Sequence, residues 1–314
     1  MKNSAIILLL TSFTLFFSCQ KDSKVYIAGF DDENAVYWLN GKETVLPKSS
    51  ERAMATSIAI SGSDVYIAGF DGDNAVYWLN EKQTVLSSSD KSRATSIKVS
   101  GSDVYIAGWN NNESERYAVY WLNGKETILP KSGNSAAYSV AVSGSNVYIA
   151  GWDEDGAVYW LNEERKILPK FGEGAAAYSI AISGSNVYIA GLDETDAVYW
   201  LNGEQKVLPK FGDISEAISI FASGRNIYIT GSDKIFGEWS TVYWKNGERN
   251  EIMDQDRFKG ATSITVSGSK VYLAGWKHDG SEQNAVYWRN GKQIVLPKSE
   301  GAEAVSATAI AVAK

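Results

Sequence analysis

A Tyr-Trp pair recurs down this chain at Tyr37-Trp38, Tyr77-Trp78, Tyr120-Trp121, Tyr159-Trp160, Tyr199-Trp200, Tyr243-Trp244 and Tyr287-Trp288. The seven copies are spaced 40, 43, 39, 40, 44 and 44 residues apart. A period of this length commits a chain to an array before any local pattern is read, because one unit cannot bury its apolar face without neighbours. Within residues 55–87 four short runs stand out: Ala55-Thr56-Ser57-Ile58-Ala59-Ile60, Val65-Tyr66-Ile67-Ala68, Ala75-Val76-Tyr77-Trp78-Leu79 and Gln83-Thr84-Val85-Leu86. Each is rich in β-branched, aromatic or small residues and bounded by Gly, Asn, Asp or Ser, as strands are.

Turn chemistry orders these strands. Ser61-Gly62-Ser63 closes the first hairpin, and Asn-Gly closes the third and fourth strands at Asn40-Gly41, Asn123-Gly124, Asn202-Gly203, Asn246-Gly247 and Asn290-Gly291. Asn-Gly suits a two-residue hairpin because both central residues need positive φ. Copies two and four carry Glu81 and Glu163 instead of Gly, so relaxed or longer turns are expected there. Four antiparallel strands in a repeat of about 40 residues make one propeller blade. The expected fold is all-β, a seven-bladed β-propeller of four-stranded antiparallel blades. Lys24-Val25-Tyr26-Ile27-Ala28 reads as a second strand with no first strand before it, and Ala307-Thr308-Ala309-Ile310-Ala311-Val312 as a first strand with nothing after. The C-terminal strand is therefore expected to complete blade 1 and close the ring. An open solenoid would need no such complementary ends.

The chain has 314 residues, a formal net charge of -7 and a single cysteine, Cys19. The acidic balance disfavours nucleic acid, which attracts a basic stripe, and one cysteine forms no intramolecular disulfide. A short basic start, Met1-Lys2-Asn3, precedes the mostly apolar run Ala5 to Phe17, which is short for a bilayer span and fits a signal-peptide core. Its end, Leu15-Phe16-Phe17-Ser18-Cys19, resembles the cleavage box of bacterial lipoproteins, with Phe16 where that family usually has Leu. The resemblance implies diacylation of the Cys19 thiol, which becomes the new N-terminus. Residues 1–18 are then a signal peptide, 19–24 the lipidated cysteine and a short tether, and 25–314 the propeller. An ordinary secretory signal with an incidental cysteine is the other reading. The run Gln20-Lys21-Asp22 is similar to the export signal of some surface-exposed lipoproteins. The implied location is the bacterial cell envelope, lipid-anchored at the outer membrane. Over residues 24–314 the chain resembles bacterial β-propeller repeat proteins with Val-Tyr-Ile-Ala-Gly and Tyr-Trp-x-Asn-Gly patterns. That resemblance implies a fold and no assigned activity.

Strand alternation places the Ser-Gly-Ser and Asn-Gly turns on one face, nearly identical in every copy. The second-to-third loops and the connections between blades lie on the other face and vary, so that face is expected to carry function. Asp71-Gly72-Asp73-Asn74 and Asp153-Glu154-Asp155-Gly156 resemble the start of calcium loops, but turn chemistry accounts for them without a metal. Just before these loops a variable position holds Phe30, Phe70, Trp109, Trp152, Leu192, Ser232 and Trp276. Trp109, Trp152 and Trp276 are candidates to stack on sugar rings or other flat ligands; packing between blades is the competing role. Copies three, six and seven have the longest loops, and copy six adds Phe236 and Trp239, a candidate contact patch. His278, the single histidine, has no partnered nucleophile nearby in sequence. The innermost strands carry Ser57, Ser96, Ser139, Ser179, Ser219 and Ser263 in register, with no acidic residue among them. This weighs against a hydrolase or lyase at the channel mouth. The leading expectation is an envelope-anchored, non-enzymatic binding or scaffolding propeller, monomeric, that meets a protein or glycan partner. A glycan-binding propeller is the alternative. No catalytic residue, metal or cofactor is assigned.

Overall fold

The computed structural model describes residues 23–87, 91–235, 237–251 and 259–313. The signal-peptide and lipidation expectations at 1–18 and Cys19, and the candidate Phe236, lie outside these residues. The described strands form seven four-stranded antiparallel sheets. Blade 2 shows the plan: Ala53–Ser61 innermost, then Asp64–Asp71, Asn74–Leu79 and the short outer strand Lys82–Ser87. Blade 1 is completed from the other end of the chain. Val305–Ala313 pairs with Lys24–Asp31 along its whole length, from Lys24↔Ala313 to Asp31↔Val305. Each innermost strand packs against the innermost strand of the next blade, which seals the ring.

The Tyr-Trp motif forms the core between blades. Trp38, Trp78, Trp121, Trp160, Trp200, Trp244 and Trp288 are all 0% exposed. A buried indole N–H usually finds an acceptor, and in five blades it does so in the connection arriving from the preceding blade, while Trp288 Nε1 has no acceptor among the described residues. Nε1 of Trp38, Trp78, Trp160, Trp200 and Trp244 donates to the carbonyls of Pro297, Pro47, Pro130, Pro169 and Pro209 at 2.7–2.9 Å. Blade 3 has no such proline before it, and Trp121 donates to Glu126 instead, at 3.1 Å. The glycine of Val-Tyr-Ile-Ala-Gly is set by the same packing. A Cβ on Gly69 would collide with the Met54 carbonyl oxygen and come within 3.0 Å of the Trp78 ring.

Further bonds stitch neighbouring blades near the axis. The register serines accept backbone N–H bonds from the next blade: Ser57 from Ile97, Ser96 from Val140, Ser139 from Ile180, Ser179 from Ile220, Ser219 from Ile264 and Ser263 from Ile310, at 3.1–3.3 Å. In blade 1 Ala309 holds this position. One residue earlier each innermost strand has a bulge, and the extra residue there is Thr56, Thr95, Thr262 or Thr308 in four blades. Each of these threonines has its shorter contact, 2.7–2.8 Å, with a carbonyl of the next blade's innermost strand, to which it donates, and also lies within hydrogen-bonding distance of a carbonyl in its own blade. Thr56 Oγ1, for example, meets the Ala68 carbonyl at 3.0 Å and the Ala94 carbonyl at 2.7 Å. Thr95, Thr262 and Thr308 repeat the pattern.

The turns at Glu81 and Glu163 are not relaxed. Asn80 and Glu81 have φ of 47° and 69°, Asn162 and Glu163 49° and 70°, the same two-residue turn as Asn40 and Gly41 at 51° and 83°. A side chain at such a φ is strained, and here an inter-blade bond offsets it. The Tyr37 hydroxyl donates to Glu81 at 3.1 Å and the Tyr120 hydroxyl to Glu163 at 2.9 Å.

Candidate functional site

The variable position sits near the loop-face end of each second strand, directly opposite a residue of the innermost strand. The pairs are Phe30↔Ser306, Phe70↔Met54, Trp109↔Arg93, Trp152↔Ala136, Leu192↔Ala176, Ser232↔Glu216 and Trp276↔Gly260. Innermost strands begin earlier than their sequence pattern suggests, and blade 6 thereby brings Glu216 onto the inner wall, where the Ser232 hydroxyl donates to it at 3.0 Å. The expectation of an acid-free inner wall is corrected by this residue.

The three candidate tryptophans differ in what covers them. Trp109 lies under the Arg116 guanidinium at 4.2 Å, with Arg93 at 5.8 Å from its ring. Trp276 lies over Gly260, where a Cβ would stand 2.7 Å from Nε1, and meets the His278 ring edge-on at 5.3 Å. Trp152 is half-buried and lines two cavities. One, of about 540 Å³, opens between it and the blade 3 loop, with Asn111, Asn112, Asn134, Glu115, Arg116 and Glu154 in its lining. The other, of about 360 Å³, lies between blades 4 and 5. Trp109 and Trp152 belong to adjacent blades linked by Arg116, which stacks on the first and shares a cavity with the second. Trp276 is on the opposite side of the ring. The long loop of copy six is a hairpin extension of Asn226–Ile235 and Glu238–Lys245. Its Trp239 is 38% exposed with the Lys234 ammonium 5.9 Å from the ring.

Two tyrosines complete the second cavity. At the bulge, where four blades have threonine, blades 4, 5 and 6 have Tyr138, Tyr178 and Ile218. Trp152 Nε1 donates to the Tyr138 hydroxyl at 2.7 Å, and the Tyr138 and Tyr178 rings are 5.7 Å apart, inclined at 52°. Burial, reinforced by the negative charge of Glu216, pushes the Tyr178 hydroxyl up to about 12. It stays a neutral donor across the physiological range. The sequence signal for this pair was present, as a departure from threonine in an otherwise constant position.

The acids of the loop face have a structural task. Asp71 is 1% exposed and accepts from Ser49 N at 2.6 Å, Ser49 Oγ at 2.7 Å, Ser50 N at 2.9 Å and Gln83 Nε2 at 3.0 Å. Burial opposes ionisation here, but these bonds outweigh it and hold the carboxyl below its usual range. Asp193 is held in the same way by Phe171 N, Gly172 N and Gln205. Asp153 pairs with Arg165 at 2.6 Å and Asp233 with Arg249 at 2.9 Å. In blades 2, 4, 5 and 6 these carboxylates clamp the connection entering the blade, and Asp153 also supports its own turn by accepting from Asp155 N at 3.0 Å; blades 3 and 7 have Asn110 and Lys277 at this position. Among the described residues no group of three or more His, Cys, Asp or Glu could hold a metal ion. Blade 1 departs from the pattern by facing Asp31 with Glu43, whose carboxyl is raised by burial and then by the charge of Asp31. Two exposed rings also went unread in the sequence: Phe171 at 85% and Phe211 at 71% exposed stand on successive blade connections, where Ser49, Ser132 and Ser299 stand elsewhere.

No family model matches the chain, and no curated protein matches it. Likeness is found among solved structures. TolB from Acinetobacter baumannii is similar with a TM-score of 0.54 at 11% identity, over 93% of this chain and 66% of that one. A prolyl endopeptidase is similar with a TM-score of 0.53 at 11% identity, over 92% of this chain and 50% of that one. The computationally designed Ika8 protein gives a TM-score of 0.48 at 15% identity, over 91% of this chain and 90% of that one. This chain thus spans 66% and 50% of the first two relatives. At such identities the likeness to TolB and the endopeptidase is one of fold, and a fold does not carry an activity with it.

Proposed function

We propose that this chain is a non-enzymatic binding propeller, held at a bacterial envelope through Cys19, whose ligand site is the loop face of blades 3 to 5. The observation that carries the reading is Trp152. It forms a common wall of two cavities, beside seams where the repeated threonine bond has given way to Tyr138 and Tyr178. Stability forgone at repeated positions, next to concave surface lined by an aromatic ring and polar groups, is the signature of a site grafted on a scaffold.

The tether geometry supports an outward-facing site. Lys24 pairs with Ala313, and Val25 N donates to the Asn40 side chain in the Asn-Gly turn at 2.9 Å. The first strand thus begins on the tight-turn face. Five residues from Cys19 reach at most about 20 Å when extended, so the tight turns would lie toward the membrane and the cavities away from it. The test is affinity capture from envelope extracts with the mature chain and its Trp152→Ala variant. A partner retained by the parent and lost by the variant is expected; the same partners on both would remove the site.

A glycan is the second reading, favoured by the larger cavity. The side-chain amides of Asn111, Asn112 and Asn134 and the carboxylates of Glu115 and Glu154 border it beside the Trp152 indole, a donor and acceptor set suited to hydroxyls with a ring to stack on. On a glycan array the reading requires binding that Trp152→Ala removes. An empty array would end it.

A further inference from the structure

The smaller cavity has a different chemistry from the larger one, although the two share a wall. Trp152, Tyr138 and Tyr178 supply three aromatic rings, Gly174 to Ala176 and Leu192 supply apolar surface, and Glu194 is the only charged residue among the described residues of the lining. Among the described residues no cationic side chain lines it. Arg116, whose charge reaches Tyr138, is stacked on Trp109 at 4.2 Å and lines the larger cavity on the other side of Trp152. Behind Tyr178 stands Glu216, whose charge acts on that hydroxyl. The Tyr178 hydroxyl forms no hydrogen bond with a described residue, so it presents its ring and a free dipole to the cavity.

We infer that the cavity between blades 4 and 5 binds a compact organic cation, a quaternary or alkylated ammonium group. The inference rests on the reading of blades 3 to 5 as the binding sector. Three charge classes can be compared. An anion would meet Glu194 at the rim and the field of Glu216. A polyhydroxyl ligand would find two phenol hydroxyls and one carboxylate, with the rest of the lining apolar, and would leave hydroxyls unpaired on burial. A cation wrapped in methyl groups has no hydroxyls to satisfy. Its charge is attracted by the faces of Trp and Tyr rings, and its methyl groups pack on Leu192 and the alanines. The Trp152–Tyr138 hydrogen bond ties the positive edge of the indole to a neighbour, leaving its face for the ligand. Glu194 adds a counter-charge where the cavity meets solvent.

The repeat itself supplies the control. Threonine is the residue of four other blades at the Tyr178 position, so Tyr178→Thr removes a ring while installing a side chain this fold already accommodates there. The experiment is calorimetric titration of the mature chain with choline and with tetramethylammonium, against the uncharged isostere 3,3-dimethylbutan-1-ol. The expected result is binding of both cations, at least about tenfold weaker binding of the neutral isostere, and a loss of about tenfold or more in Tyr178→Thr. Tyr178→Phe keeps the ring and should bind within about threefold of the parent. Glu194→Gln should weaken the cations and leave the isostere unchanged. Equal affinity for choline and its isostere, indifference to Tyr178→Thr, or no binding of either cation would overturn the inference. Each of these leaves the wider reading to its own test, since that one turns on capture through Trp152 whatever the ligand.

Discussion

Blade 1 contains a pairing that can be improved by one atom substitution. Where the second and fourth strands face each other at the loop end, blades 2 and 5 set an aspartate against an amide, Asp71 with Gln83 at 3.0 Å and Asp193 with Gln205 at 2.7 Å. Blades 4 and 6 use arginine. Blade 1 sets Asp31, which accepts from Ser299 N at 2.6 Å, against Glu43, which accepts from Trp38 Nε1 at 3.1 Å. Asp31 Oδ1 is buried without a partner among the described residues. Glu43 is raised by burial and by Asp31. A carboxyl that binds its proton more tightly when folded contributes most below its unfolded range, near about pH 4. That contribution is lost as pH rises through its folded value. Glu43→Gln should therefore stabilise the chain at pH 7 by removing the repulsion and giving Asp31 the amide donor found in blades 2 and 5. One hydrogen bond to a charged acceptor is worth about 1.5–3 kcal/mol. Glu43 is only partly buried, so solvent screening reduces this to about 1–2 kcal/mol. At about 2–4 °C per kcal/mol for a large domain, Tm should rise by roughly 2–8 °C. Calorimetry of parent and variant at pH 7 and pH 4 reads the effect. The gain should shrink at pH 4, where a protonated Glu43 can itself donate. A variant that melts no higher than its parent at pH 7, or gains equally at both pH values, would refute the pairing.

Ala309→Ser should supply the serine missing from the seam between blades 1 and 2, with Ile58 N as donor, and add about 0.5–1.5 kcal/mol in denaturant unfolding; no gain would mean that the register serines contribute little to joining blades. Gly69→Ala should cost about 3 kcal/mol, because the new methyl meets the Met54 carbonyl and the Trp78 ring in a close-packed wall; a soluble variant with unchanged melting would contradict that packing. Deleting residues 306–314 removes nearly the whole strand that pairs with Lys24–Asp31, and cooperative melting should be lost, with a low-temperature transition seen by circular dichroism. Retained parental melting would show that closure is dispensable.

The architecture was legible because it is written in a period and in complementary ends, and both are properties of the chain read locally. Strand bounds differ by a residue or two, and one such shift hid Glu216. The Glu81 and Glu163 turns were misread because turn preference is a local quantity, whereas the Tyr37 and Tyr120 bonds that offset the strain come from another blade. The aspartate clamps were invisible for the same reason: Asp71 is held by Ser49 and Ser50, 22 and 21 positions earlier, and local pattern does not show that this connection folds back on the aspartate. Trp152 was legible as a candidate, but what separates it from Trp109 and Trp276 is the covering of each ring. That depends on Arg116, Gly260 and Tyr138, and only the folded ring brings these into place.

The joint between two blades is made from parts that belong only to those two copies: an indole reaching a proline carbonyl, a serine meeting an amide, an aspartate holding the incoming segment. Among the described residues, each of these bonds joins two copies and no more. Any unit can therefore drift at its loop end without loosening distant parts of the disc, and an interchangeable coupling of this kind lets a single arc specialise while the remainder keeps the circle shut.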